Sequence, residues 1–131
     1  MNCLILGDNT KKTFSIKNVN TDNTVGDLRE SIYLKNPQSF TGIDAKDLIL
    51  WKVNIPDEVN EKTKLLNTKP PSKINIKQDL EGVELSSTTW KLEKYYSQIP
   101  TNEHIHVIIA PTTTSKYLQM FYLSEICSYH S

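Results

Sequence analysis

The sequence predicts an α+β domain in which one main amphipathic helix lies on a mixed β-sheet. Three observations predict it. Two apolar stretches flank a polar turn near the N-terminus, a capped amphipathic segment starts after Thr24, and residues 104–110 are a strongly β-branched run. A length of 131 residues suits a single domain.

The elements follow in order. Residues 2–7 (NCLILG) are a short apolar strand ended by glycine, and residues 8–11 (DNTK) are turn chemistry. Residues 12–19 alternate, with Phe14 and Ile16 on one face beside Lys12, so the two stretches form a hairpin. Thr24 with Asp27 three residues later is a variant capping box, and Asp27 suits the positive end of a helix dipole. Val25, Leu28 and Ile32 make one apolar stripe, and Asn36-Pro37 closes the helix, which spans Val25–Lys35. Residues 47–53 (DLILWKV) are a third strand. Leu48, Leu50 and Lys52 take one face, and Ile49, Trp51 and Val53 the other. Pro56 ends it, before an acidic run of Asp57, Glu58 and Glu61. Residues 62–78 are rich in Lys, Asn and Pro and are expected to be a loop or insertion with a weak strand at 74–76. Residues 82–85 are a short strand, and residues 90–96 a short helix anchored by Trp90, Leu92, Tyr95 and Tyr96. Residues 104–110 (HIHVIIA) are the last strand of the domain, stopped by Pro111.

This is the β-grasp order, with a ubiquitin-like mixed sheet of four to five strands. The last strand is expected in the centre, parallel to the first, with one helix covering one face. The domain is placed at residues 1–111, and residues 112–131 at a linker and C-terminal amphipathic helix. In that tail Leu118, Tyr122, Ile126 and Tyr129 recur on one face, and Phe121 enlarges it. Such a surface packs on its own sheet, on a copy of itself, or on a partner, and all three stay open.

Composition narrows the function. Fifteen Lys+Arg balance fifteen Asp+Glu, and each half is near neutral, with 7 basic and 8 acidic groups in residues 1–60 and 8 and 7 in residues 61–131. No basic face follows, so nucleic-acid binding is not expected of the domain alone. Cys3 and Cys127 are too few and too far apart for a disulfide framework. No apolar run is long enough to span a membrane, and the N-terminus carries no recognisable signal peptide.

No catalytic set, cofactor or metal is expected. His104 and His106 lie two apart on one strand with Cys3 on the neighbouring one, yet a zinc site needs four ligands and no further one is placed. Cys127 and His130 are spaced i, i+3, and nothing orients the base. Lys11-Lys12 is too small for a polybasic import signal.

Four words of the sequence, in order, resemble the N-terminal domain of Crinkler effectors, especially the fungal branch. They are Asn2-Cys-Leu-Ile-Leu-Gly7, Thr24-Val-Gly-Asp-Leu28, residues 43–57 (IDAKDLILWKVNIPD), and residues 103–111 (EHIHVIIAP). The resemblance implies a ubiquitin-like N-terminal module associated with secretion and translocation into host cells, many members acting in the host nucleus. The oomycete branch is named for a Leu-Phe-Leu-Ala-Lys motif. The corresponding segment here, Leu48-Ile-Leu-Trp-Lys52, keeps the leucine alternation and the lysine. Leu48, Leu50, Trp51 and Lys52 are thus the translocation-motif-like residues. Family members commonly continue into a C-terminal effector domain, and this sequence shows no phosphate loop, kinase signature or metal-nuclease cluster. The expected function is that of a non-catalytic, secreted N-terminal module that binds a host or self protein, with a homodimer through Leu118, Phe121, Tyr122, Ile126 and Tyr129 among the expectations. The alternative is an interaction or oligomerisation module of a resident intracellular protein.

Overall fold

The computed structural model describes residues 1–110. Five strands, β1 (Asn2–Ile5), β2 (Phe14–Ser15), β3 (Ile49–Pro56), β4 (Val83–Glu84) and β5 (His104–Ala110), form one mixed sheet in the order β2-β1-β5-β3-β4. β1 and β5 run parallel, pairing Cys3 with Val107, Leu4 with Ile108 and Ile5 with Ile109. β3 is antiparallel to β5 on its other side, with a register shift between Lys52 and Ile55. This is the expected β-grasp-like arrangement, with the β-branched run in the centre. A central strand buried on both faces must be apolar nearly throughout, as residues 105–109 of β5 are: all five are buried, and four are Ile or Val.

Helix α1 (Val25–Lys35) begins at the Thr24 capping box. Thr24 Oγ1 accepts from the Asp27 N–H at 3.1 Å, and Asp27 Oδ2 accepts from the Thr24 N–H at 3.0 Å. Val25, Leu28 and Ile32 enter the first core with Cys3, Ile5, Leu50, Val107 and Ile109. Arg29 is also buried. It donates from Nη2 to the Leu85 carbonyl at 3.3 Å and from Nη1 to Thr88 Oγ1, tying the helix to residues 85–88. Burial pulls its pKa below the usual arginine value, opposed chiefly by the carboxylate of Glu84.

The opposite face of the sheet differs from the expectation. It is covered as well, by a second core in which Leu66, Ile74, Ile76 and Leu80 pack on Leu4, Val53, Ile55, Ile105 and Ile108. Residues 62–78 are therefore neither a loop nor a strand. Residues 61–79 hold α2 (Glu61–Thr68), a 3-10 turn over Pro71–Lys73 and the short α3 (Ile76–Asp79). A second capping box starts α2: Asn60 Oδ1 accepts from the Thr63 N–H at 3.0 Å, and Thr63 Oγ1 from the Asn60 N–H at 2.9 Å. Two glycines outside the segment lie close against its middle and its end. At Gly7 (φ +102°) a Cβ would lie 2.9 Å from Pro71 Cγ, and at Gly82 one would lie 2.7 Å from Ile76 Cγ2.

The hairpin is shorter than expected, because Asn9 Oδ1 accepts from Lys11 N–H and folds Thr10–Lys12 into a 3-10 turn, leaving two ladder residues in β2. Residues 90–96 contain only a 3-10 turn, Leu92–Lys94, because backbone groups around it bond outward: Val25 N–H to Trp90 O, Leu92 N–H to Asn23 O and Glu93 N–H to Thr21 O.

Candidate functional site

β3 carries the residues singled out in the sequence. Leu48 and Leu50 are fully buried in the first core. Trp51 is half-buried against the second core. The stripe alternates as expected, since successive residues of a strand point to opposite faces. Lys52 is also committed. Its Nζ donates to the Tyr95 carbonyl and sits 4.7 Å from the centre of the Tyr96 ring. The lysine of the motif-like segment thus holds residues 91–96 against the sheet. The tail residues Leu118, Phe121, Tyr122, Ile126 and Tyr129, with Cys127 and His130, lie outside the described residues.

A solvent-facing aromatic cluster lies close by. Trp90 is 50% exposed. Its ring stands 6.0 Å from that of Tyr95, and Lys94 Nζ lies 5.9 Å from the indole centre. On the sheet edge, Val83 of β4 is 52% exposed. A half-exposed tryptophan on a framework fixed by Lys52 and Arg29 is the kind of side chain that anchors protein interfaces. The sequence pattern instead places Trp90 as an internal anchor of a helix. A signal against that is present: Lys91, Glu93 and Lys94 around it leave no apolar stripe.

The titratable groups serve the fold. The Cys3 thiol is buried and pushed up to about 12, which removes the thiolate that reactivity needs. The Tyr96 phenol is raised by burial. His104 and His106 do not converge: His104 Nδ1 meets Asn54 Oδ1, whereas His106 is turned to Asn2 and Asn102. Among the described residues no group of three or more His, Cys, Asp and Glu is placed to hold a metal. A polar hollow of about 340 Å³ is lined by Asn2, Thr10, Lys11, Thr13, Ser15, Asp57 and Glu103. Several of its polar groups are already paired: Ser15 Oγ donates to Asn2 Oδ1, Thr13 Oγ1 to the Thr10 carbonyl, and Asn67 Nδ2 to Thr10 Oγ1. No helix of the described residues is long and apolar enough to cross a membrane.

Comparison with known proteins adds the family context. The profile described as "Crinkler effector protein N-terminal domain" matches residues 1–110. Crinkler effector protein 1 of Rhizophagus irregularis is 32% identical over 121 residues, covering 90% of this chain and 23% of that protein. The chain therefore spans about a quarter of the length of that relative. No solved structure matches.

Proposed function

Because the chain belongs to the Crinkler effector N-terminal domain family, we propose that it acts as the non-catalytic N-terminal module of a secreted effector, carrying protein into host cells and binding a protein there, with the host nucleus as its destination. The family match over residues 1–110 carries this reading. The half-exposed Trp90, braced by Tyr95 and Lys94, supports the binding part. The role attached to Leu48, Leu50, Trp51 and Lys52 is then indirect. Those residues hold up the sheet and the 91–96 segment from which the aromatic surface projects.

A fluorescent fusion of the chain, made in a cell in contact with its host, is expected to appear in host cytoplasm and nucleus. Strict retention in the producing cell would overturn the delivery role in favour of a resident module. Trp90→Ala is expected to leave uptake intact and to release host proteins that co-purify with the wild type. Equal recovery with the variant would remove Trp90 from the binding surface.

For the tail we propose contact with a second copy. Both faces of the sheet are already covered by residues of the described domain, which supports pairing over docking on the chain's own sheet. Light scattering is expected to give a dimer for the full chain and a monomer without residues 112–131. The same monomer in both would end this proposal.

A further inference from the structure

We propose that His106 is an acid-sensitive latch whose protonation opens the β1–β2 edge of the sheet while α1 and the β3–β5 pair stay folded. The geometry is specific. His106 is 2% exposed, and its Nδ1 accepts from the backbone N–H of Asn2 at 2.8 Å, where a sheet ladder would ordinarily supply a carbonyl. An accepting Nδ1 requires the proton on Nε2, which donates to Asn102 Oδ1 at 2.6 Å. Both ring nitrogens are therefore committed in the neutral form.

Asn2 is the hub this ring holds. Its side chain donates to the carbonyls of His104 at 2.8 Å and Asn102 at 3.3 Å, and its Oδ1 accepts from Ser15 Oγ at 2.6 Å. β2 joins the sheet through two residue pairs, Asn2 with Ser15 and Cys3 with Phe14, flanked by the reciprocal bonds of Met1 and Ile16 at 2.9 and 3.1 Å. The outer edge thus hangs on a short ladder, and at this end it is tied to β5 by the imidazole on the Asn2 N–H, by the Asn2 side chain on the His104 carbonyl, and by the Cys3–Val107 pair. A proton on Nδ1 sets N–H against N–H and removes the tie to the Asn2 backbone.

The Met1 ammonium, just ahead of β1, and His104 on β5 oppose the proton. The Tyr96 phenol, kept neutral by burial, donates to the His106 carbonyl at 3.5 Å, and the Cys3 thiol beside that phenol is likewise neutral. The connection into β5 contributes Glu103, which lines the polar hollow with Lys11 and Asp57. Burial first, then the Met1 ammonium and His104, hold His106 down at about 4, against 6.5 for a free imidazole. The sign follows. The closed latch contributes fully above pH 6.5, where both states are neutral, and is lost as pH falls toward 4, because the open state takes the proton first. At pH 5 the opening equilibrium is favoured by about 30-fold over pH 7.5.

Hydrogen exchange on the full chain at pH 7.5 and pH 5, corrected for the intrinsic rate, tests this. Amides of residues 2–6 and 14–16 are expected to lose about 30-fold in protection at pH 5, while residues 25–35 and 50–55 keep theirs. His106→Gln is expected to abolish the pH dependence and His104→Gln to preserve it. Should His106→Gln fail to fold, the ring titration of His106 by NMR decides in the wild type: a midpoint near 4 supports the latch, and one near 6.5 overturns it. Uniform loss of protection across the domain, or none at the β1–β2 edge, also overturns it.

Discussion

Leu80→Ala is expected to destabilise the domain by about 2–5 kcal/mol, read as a lowered urea midpoint with an unchanged slope. Leu80 follows α3 and is fully buried in the second core against the far face of the sheet. Truncation removes apolar contacts and leaves a cavity that Ile105 and Ile108, fixed in the central strand, cannot move to fill. The size of the effect tests whether residues 61–80 are part of the fold. A dispensable insertion predicts a change under about 0.5 kcal/mol, the same as Leu34→Ala, whose side chain is 70% exposed.

The second large effect is expected at Phe40. Phe40→Ala should cost about 3–5 kcal/mol in the same denaturation experiment. Its ring is fully buried and stacks on Tyr33, with centroids 6.0 Å apart and planes 21° apart. Phe40 lies in the 3-10 turn Pro37–Phe40, immediately after α1, and closes the first core where the chain leaves the helix. Phe40→Leu should recover most of the loss, since the site needs volume and apolarity more than an aromatic ring. A loss under about 1 kcal/mol for alanine would show that this turn is not part of the core.

The parts of the fold that can be read in advance are those where one local signal dominates. α1 has a capping box, an i, i+3, i+7 stripe and a proline after it, and its bounds agree with the reading. β5 is a β-branched run long enough to specify a central strand. The second cover escapes a sequence reading because its apolar residues are sparse. Leu66, Ile74, Ile76 and Leu80 are distributed over α2, a proline-interrupted turn and α3, so no window shows a helical period. Its start is legible, since Asn60 with Thr63 is a reciprocal cap, although Thr is an uncommon partner at the third position. Residues 90–96 mislead in the other direction. Aromatic spacing suggests a helix, but the backbone bonds to Thr21, Asn23 and Val25 from elsewhere in the chain win. The candidate surface is half legible. The alternation of Leu48, Leu50 and Trp51 can be read as strand packing, whereas the bond from Lys52 to the Tyr95 carbonyl, across 43 residues of sequence, cannot.

The central position of β5 sets the order in which the protein can be completed during synthesis. Its pairs join Cys3 to Val107 and Leu50 to Ile109, so both halves of the sheet meet on the strand translated last within the domain. Until Ala110 has cleared the ribosome, β1 and β3 have no common neighbour, and the Ile and Val side chains due to be buried remain unpaired. Closing so long a chain segment is slow compared with forming α1. The nascent chain therefore carries exposed apolar strands for several seconds at ordinary translation speeds, the window in which chaperone binding matters most.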